Sequence, residues 1–182
     1  RQTDRQTDSS VLLTAYTESY YLQDCGGYDY YQLSGGKLLD PRLRGIITLL
    51  NPQPGDQILD VGCGRGEIVY ACALNNTKVT GLNYSHAAIE LAKRCFIDDI
   101  ELSSHATLLC TDVNNFTTTE KYDKIVAADV IEHLAPLELD KLYEKISSLL
   151  TKTGFFVVHT YPNLWIYQYG YAAKRRQAKR VG

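Results

Sequence analysis

The stretch that decides the fold is Gln57-Ile58-Leu59-Asp60-Val61-Gly62-Cys63-Gly64-Arg65-Gly66-Glu67. A short apolar run ends near an acid, three glycines follow at alternate positions, and a helical pattern begins directly after them. A strand, a tight turn and a helix start in this order build a nucleotide-type pocket at a helix N-terminus in parallel α/β sheets. The function of the chain therefore depends on which ligand that pocket binds.

The alternation of strand and helix continues along the chain. The spacing of apolar residues predicts strands over residues 57–61, 78–82, 106–110, 123–128 and 155–160, and helices over residues 41–50, 66–74, 86–97 and 136–150. Asp40 and Ser85 are predicted N-caps, and Lys152-Thr153-Gly154 is a predicted turn before the fifth strand. We therefore expect an α/β fold, a doubly wound Rossmann-like sheet of mostly parallel strands with helices on both faces.

Composition and charge are typical of one soluble domain and argue against several kinds of partner. The chain has 182 residues, of which 45% are hydrophobic, and its net charge is −2, so nucleic acid is not an expected partner. There is no apolar run of membrane-spanning length and no signal-peptide pattern, so we expect no membrane partner. Five dispersed cysteines without a CxxC pair fit a reducing compartment, and we expect a cytoplasmic protein.

The glycine pattern argues against a dinucleotide ligand. Gly66 follows the second glycine by two residues, whereas the dinucleotide fingerprint G-x-G-x-x-G has a spacing of three. Glu67 comes next, and its carboxylate would oppose a pyrophosphate at the helix N-terminus. The acids expected near the same crevice are Asp60, Asp112, Asp129 and Glu132. A pocket with this many acids suits a cationic ligand.

Several segments, taken in order, resemble class I S-adenosylmethionine-dependent methyltransferases of the small-molecule type. These segments are Ile58–Gly66, Val79–Ser85, Cys110–Val113, Tyr122–Val126, Asp129–Leu134 and Gly154–Val158. The resemblance covers residues 38–163, and an ordered set of motifs is more specific than a lone glycine-rich turn. It implies an enzyme of the methyltransferase class, with S-adenosylmethionine as cofactor and S-adenosylhomocysteine as product.

The resemblance also implies which residues bind the cofactor. They are Asp60, Gly62, Cys63, Gly64, Gly66, Asn83, Tyr84, Asp112, Val113, Asp129, Tyr20 and Tyr21. Asp60 would orient the amino group of the cofactor, while the glycines would let the backbone approach it closely. Asn83 would face the ribose hydroxyls, with Tyr84 beside the adenine. Asp112 would accept from the adenine amino group, and Asp129 would line the methionine side.

Position 83 departs from the family pattern. The family usually has an acid there, because a carboxylate can accept hydrogen bonds from both ribose hydroxyls. Asn83 offers one carbonyl acceptor and an NH2 donor, so we expect ribose recognition to be weaker or rearranged.

The segment Asp129-x-x-Glu132-His133 is the best candidate for catalysis. His133 is the expected general base near neutral pH, with Glu132 beside it. We expect no metal, but the spacing also resembles the cluster that holds a divalent ion in small-RNA 3′-terminal 2′-O-methyltransferases. The alternative metal set is Asp129, Glu132, His133 and His159. A purely local hydrogen-bonding role for Glu132 and His133 is a further alternative.

The chain is expected to divide into four parts. Residues 1–10 are a predicted disordered tail, and residues 11–37 form a tyrosine-rich segment where the family places a lid. Residues 38–163 form the cofactor-binding core, and residues 164–182 form a basic C-terminal segment. The family fold ends in an antiparallel hairpin that we expect to be missing here, and an incomplete sheet favours a homodimer.

We therefore predict a methyltransferase that transfers a methyl group from S-adenosylmethionine to a small-molecule acceptor. A metal-assisted RNA 2′-O-methyltransferase and a non-catalytic cofactor-binding relative are the alternatives. The small net charge disfavours RNA, and the glycine spacing together with Glu67 disfavours a dehydrogenase.

Overall fold

The computed structural model describes residues 17–160, and the order of its elements follows the predicted alternation. In chain order they are a π-helical turn Tyr20–Asp24, α1 (Tyr28–Ser34), α2 (Pro41–Leu50), β1 (Gln57–Val61), α3 (Glu67–Ala73), β2 (Lys78–Asn83), α4 (His86–Arg94), α5 (Ile100–Ser103), β3 (Ala106–Cys110), β4 (Tyr122–Ala128), a 3-10 turn Ile131–His133, α6 (Pro136–Leu149) and β5 (Leu150–His159). The strands β1 and β3 have the predicted bounds, whereas α4 ends three residues before the predicted position 97.

The five strands form one parallel sheet in the order β3-β2-β1-β4-β5. Alternate side chains of the strands point to opposite faces. Ile58 and Val126 pack in a core cluster with α2, α3 and α4, while Leu59 and Ile125 pack in a second cluster with α6. The predicted doubly wound, Rossmann-like sheet is thus confirmed. The strand order reverses between β1 and β4, so the ligand crevice of such a sheet lies at the carboxyl ends of these two strands.

Both predicted end segments lie outside the described part of the chain. These are the tail, residues 1–10, and the basic segment, residues 164–182. The expected absence of a C-terminal hairpin also concerns residues outside the described part. The four predicted parts of the chain stay predictions. Within residues 17–160, no helix is long and apolar enough to cross a membrane.

Local sequence explains where the helices beside the crevice begin. Asp40 caps α2, because its Oδ1 accepts from the Leu43 backbone N at 2.9 Å, and Pro41 occupies the first helical position. Ser85 caps α4 through a bond from the Ala88 backbone N at 3.4 Å. Both predicted caps are confirmed, and the second one fixes α4 directly after β2.

One predicted turn is absent. Residues Lys152-Thr153-Gly154 lie within β5, so the prediction of a turn before the fifth strand is wrong. The pairing of β5 with β4 shifts its register between Tyr122 and Lys124, which marks a bulge. A Cβ on Gly154 would lie 2.9 Å from the Tyr122 carbonyl oxygen, so only glycine fits this close approach. The residues with turn propensity therefore form a bulge inside a longer strand.

The described part of the tyrosine-rich segment consists of two short helical pieces separated by a glycine pair. Gly26-Gly27 separates the π-helical turn from α1, and Gly27 has a left-handed φ of 77°. Tyr21 and Tyr31 are buried in the first core cluster, and the Tyr31 hydroxyl donates to the Leu91 carbonyl oxygen at 3.0 Å. The segment thus packs against α4 as part of the folded core.

Candidate functional site

Asp60 lies at the centre of the crevice, one residue before the end of β1. Its side chain is buried, and its Oδ2 has no hydrogen-bond partner among the described residues. Burial, with a smaller contribution from the nearby carboxylate of Glu67, raises the pKa of this carboxyl to about 8. A buried acid with a free oxygen is costly for the fold by itself, and it is a suitable partner for a cationic or donor group of a ligand.

The glycine-rich loop, residues 62–66, follows Asp60 and has left-handed backbone at all three glycines. A Cβ on Gly62 would lie 2.5 Å from Cγ2 of Val130, and one on Gly66 would lie 2.8 Å from Cα of Ala92. These two glycines are therefore needed for packing within the protein. A Cβ on Gly64 would have no neighbour nearer than 4.0 Å, so Gly64 is the glycine whose face is open to a ligand.

Cys63 lies inside this loop and is buried. Burial raises the pKa of its thiol well above the usual value, so it is a poor nucleophile. The backbone N–H groups of Gly62 and Cys63 both donate to the Leu82 carbonyl oxygen, at 2.8 and 2.9 Å. The loop is thus attached to the end of β2, and Cys63 fills space as a small apolar side chain.

Arg65 is a key residue of the loop that the sequence analysis missed. Its guanidinium is buried and bonds to Oε1 of Glu67 from Nη2 at 2.7 Å and from Nε at 3.1 Å. It also donates to the carbonyl oxygens of Tyr21 and Gly26, both at 2.8 Å. One buried ion pair therefore fastens the tyrosine-rich segment onto the glycine-rich loop. The pattern Arg-Gly-Glu at the helix start was the available signal.

Asn83, at the end of β2, is engaged with the protein. Its Oδ1 accepts from the Ser85 backbone N at 2.8 Å, and only 6% of the residue is exposed. The Tyr21 hydroxyl bonds to the side chains of Asn83 and Ser85, and burial raises the pKa of Tyr21 to about 12. Tyr20 stacks edge-on against Tyr21 with ring centroids 5.3 Å apart, whereas Tyr84 is exposed.

The turn after β3 brings a further group of predicted residues to the same edge. The Thr111 backbone N donates to the Asn83 carbonyl oxygen at 2.9 Å, which joins this turn to the end of β2. Asp112 is half-buried and accepts from the Asn114 backbone N at 2.7 Å, while Val113 packs in the second core cluster. Cys110, just before the turn, is exposed, with its Sγ 3.5 Å from the Tyr84 carbonyl oxygen.

Asp129 and His159 meet across the ends of β4 and β5. The Asp129 backbone N donates to the His159 carbonyl oxygen at 2.9 Å, and its Oδ1 lies 2.7 Å from His159 Nδ1. Asp129 Oδ2 forms an ion pair with Nη1 of Arg42, whose Nη2 lies 3.4 Å from Oδ2 of Asp40. Arg42 is a second residue that the sequence analysis missed.

Glu132 and His133 lie on the 3-10 turn beyond β4. Glu132 Oε2 accepts from the Thr160 hydroxyl at 3.2 Å, and His133 is exposed. Among residues 17–160, no three His, Cys, Asp or Glu side chains are arranged so that they could hold a metal ion. The structure thus joins Asp129 to His159 but does not assemble the alternative metal set.

Comparison with known proteins agrees with this geometry. The profile of the family described as mycolic acid cyclopropane synthetase matches residues 39–176, which is more than half of the chain. The chain belongs to this family. One curated relative of this chain is cyclopropane-fatty-acyl-phospholipid synthase from Escherichia coli (strain K12). The two are 29% identical over 121 residues, which are 65% of this chain and 30% of that protein.

A further relative and a solved structure of similar fold are methyltransferases by name. Pavine N-methyltransferase from Thalictrum flavum subsp. glaucum is 34% identical over 119 residues, 63% of this chain and 32% of that protein. The glycopeptide N-methyltransferase MtfA, solved in complex with S-adenosylmethionine, has a TM-score of 0.57 at 19% identity and covers 69% of this chain and 54% of its own. The resemblance to class I S-adenosylmethionine-dependent methyltransferases is thereby confirmed. The chain spans about a third of the length of the E. coli synthase and of pavine N-methyltransferase.

Proposed function

We propose that this chain binds S-adenosylmethionine and transfers its methyl group to a small-molecule acceptor. The observation that carries the proposal is Asp60, a buried carboxyl whose Oδ2 has no hydrogen-bond partner among the described residues, four positions before Gly64, whose face is open. S-adenosylmethionine carries an ammonium and a sulfonium group. A positive charge near a buried carboxyl stabilises its ionised form. Membership of the family supports the same cofactor.

The residues present fit this cofactor at most of the predicted positions. Asp60 would hold the amino group, the Gly64 backbone would approach it, and Asp112 would accept from the adenine amino group. Asn83 fits less well, because the Ser85 backbone already uses its carbonyl oxygen. Bound cofactor supplies an electrophilic methyl group on sulfur, and the protein supplies position and a site shielded from water.

The expected acceptor is a small, largely apolar molecule. One relative is by name a cyclopropane-fatty-acyl-phospholipid synthase, and another is by name an N-methyltransferase of pavine. An unsaturated phospholipid and a secondary amine are therefore the two acceptor types to test first. The relatives named above give an RNA acceptor no support.

Calorimetric titration of the chain with S-adenosylhomocysteine, with NAD as a parallel control, tests the cofactor. We expect saturable binding of S-adenosylhomocysteine and none of NAD, because Gly66 follows Gly64 by two residues and not by the three of the dinucleotide fingerprint. Asn83→Asp should bind the product more tightly if the missing carboxylate weakens ribose recognition. Failure to bind S-adenosylhomocysteine in both proteins would overturn the proposal.

Transfer of labelled methyl from S-adenosylmethionine tests the acceptor. Tetrahydroisoquinoline serves as the amine probe, and vesicles of dioleoyl phosphatidylglycerol serve as the lipid probe. We expect label to appear in one of the two. Cofactor binding without transfer to either would favour the non-catalytic alternative.

We also propose a reducing location and self-association. All five cysteines are free, which fits the cytoplasmic prediction. Sedimentation velocity over a range of concentrations tests the homodimer, which would appear as a second, concentration-dependent species. A single species of monomer mass throughout would reject it.

A further inference from the structure

The strand β3 forms one edge of the sheet. It lies at the end of the strand order, and among residues 17–160 it pairs with β2 alone. This pairing runs residue by residue from Ala106 to Cys110 without a shift of register. An edge strand of this kind presents a row of N–H and C=O groups along its outer side, which can pair with another strand.

The bonds at both ends of β3 show which backbone groups point outward. The His105 carbonyl oxygen accepts from β2 at 2.9 Å, and the Thr111 backbone N donates to β2 at 2.9 Å. Successive residues of a strand direct their N–H and C=O groups to alternate sides, so the even-numbered residues of β3 direct theirs away from β2. These residues are Ala106, Leu108 and Cys110. Within the described part of the chain, no hydrogen bond reaches their outward groups.

The two edges of the sheet differ in how they are protected against pairing. Edge strands are commonly blocked by lysine, by proline or by a bulge. The other edge strand, β5, contains Lys152 and the bulge opposite Tyr122. In contrast, β3 has the sequence Ala-Thr-Leu-Leu-Cys, which contains no charge and no proline, and it has no bulge. Pairing of β3 with its own copy would therefore bring no like charges together.

An apolar cavity of about 440 Å³ lies beside β3 on the face that α4 covers. Its walls include Phe96 and Ile97 after α4, Ile100 at the start of α5, and Leu108 on the strand. Ile97 and Ile100 are 67% and 81% exposed, so this side of the sheet edge has a large apolar surface. An apolar side chain placed next to Leu108 would be partly removed from water there, which favours association.

We propose that β3 is the contact surface of a homodimer, in which it pairs antiparallel with β3 of a second copy of this chain. The inference rests on the self-association in the proposed function and assigns it to one edge of the sheet. The outward backbone groups of β3 match those of an antiparallel copy, because donors and acceptors alternate in the same way along both. A two-fold axis between the strands makes the copies equivalent and closes the assembly at two chains.

Pairing over the full length of β3 fixes the register. Leu108 then lies opposite Leu108 of the second copy, and Ala106 lies opposite Cys110 of the second copy. At these positions the two residues exchange both N–H···O bonds, with Cα atoms about 5.5 Å apart. The two leucines lie on the face of the cavity, where each covers part of the other.

Oxidative cross-linking of Ala106→Cys tests this register. The new thiol would face Cys110 of the second copy, and a Cα separation of about 5.5 Å is within the range that a disulfide spans. Residues 106 and 110 of one chain are about 13 Å apart along the strand, too far to bridge. We expect copper phenanthroline to convert most of this variant to a covalent dimer. Thr107→Cys is the matched control and should not do so, because its side chain points to the opposite face of the sheet.

Sedimentation velocity of Ala106→Pro tests the backbone pairing without a cross-link. Proline removes an N–H that points away from β2, so the bonds between β2 and β3 remain. Two symmetric bonds of the dimer are lost, and we expect its dissociation constant to rise roughly tenfold or more. Ala106→Ser keeps the N–H and is the matched control, which should associate as the unchanged protein does.

Alkylation of Cys110 provides a measurement on the unchanged protein. Cys110 is exposed in the single chain, and pairing would cover it. Its rate of alkylation should therefore fall as the protein concentration rises. Slow alkylation at every concentration in a monomeric protein would mean that another segment of the chain occupies this edge, which would overturn the proposal.

The outcomes separate this proposal from the proposed function. A protein that binds S-adenosylhomocysteine but stays monomeric at every concentration would overturn the dimer and leave the cofactor assignment intact. A dimer that Ala106→Pro does not weaken and Ala106→Cys does not cross-link would overturn only the assignment to β3. A dimer that responds to both variants would support it, whether or not the chain binds the cofactor.

Discussion

At the scale of single residues, Asp60 makes cofactor affinity depend on pH. Burial raises the pKa of this carboxyl to about 8, so it is protonated at neutral pH, whereas an ammonium ligand favours the ionised form. Affinity for S-adenosylhomocysteine should therefore rise with pH up to about 8, by at most roughly tenfold per unit. Calorimetry at several pH values measures this slope. A flat profile, equal to that of Asp60→Asn, would contradict the prediction.

The same carboxyl makes folding stability depend on pH in the opposite direction. The folded chain holds the Asp60 proton more tightly than the unfolded chain, whose pKa is near the ordinary 3.8. The contribution of Asp60 to the free energy of unfolding is greatest below that value and is lost as pH rises towards about 8. Urea unfolding with and without Asp60→Asn isolates this effect, because the variant has no proton to lose.

Replacing Gly64 by alanine tests whether the cofactor comes close to this residue, and replacing Gly55 measures the cost of backbone strain alone. Gly64 and Gly55 both have a left-handed φ, and a Cβ on either would meet nothing in the protein nearer than 4.0 Å. Alanine at either position should cost about 1–2 kcal/mol of stability. Only Gly64→Ala should also weaken S-adenosylhomocysteine binding, measured by calorimetry. Equal affinity in both variants would mean that the cofactor does not approach Gly64.

At the scale of elements, Arg65 joins the tyrosine-rich segment to the glycine-rich loop. Arg65→Met leaves the buried carboxylate of Glu67 without its partner, so we expect a loss of about 3–5 kcal/mol in the free energy of unfolding. Arg94→Met is the matched control, because Arg94 pairs with Glu18 on the surface and should contribute less than about 1 kcal/mol. Adding Glu67→Gln to Arg65→Met should recover part of the loss. Equal losses in the two arginine variants would contradict this role.

The elements themselves could largely be predicted from sequence because their signals are local. The caps at Asp40 and Ser85 each depend on a residue three positions further along the chain. The bulge in β5 could not be predicted in this way. Gly154 has ordinary turn propensity, and its actual role depends on the carbonyl oxygen of Tyr122 on the neighbouring strand.

At the scale of the whole molecule, the succession of strands and helices was predicted from the sequence, but the contacts across the site were not. Arg42 and Asp129 are 87 positions apart, and Arg65 contacts a carbonyl oxygen 44 positions away. Such pairs carry no periodic signal in one sequence. The predicted sheet indicated which loops lie together at the carboxyl ends of the strands. Only the packed structure shows which charged side chains meet there.

Because the cysteines differ in burial, a thiol reagent should react with some of them much faster than with others. Burial raises the pKa of Cys63, Cys72 and Cys95, so few thiolates form there, while Cys110 is exposed at the end of β3. An alkylating fluorophore should attach first at Cys110, two positions before Asp112, and peptide mass mapping would verify the site. The attached dye would lie beside the predicted adenine end of the crevice. Its emission would report cofactor exchange in real time without any engineered residue.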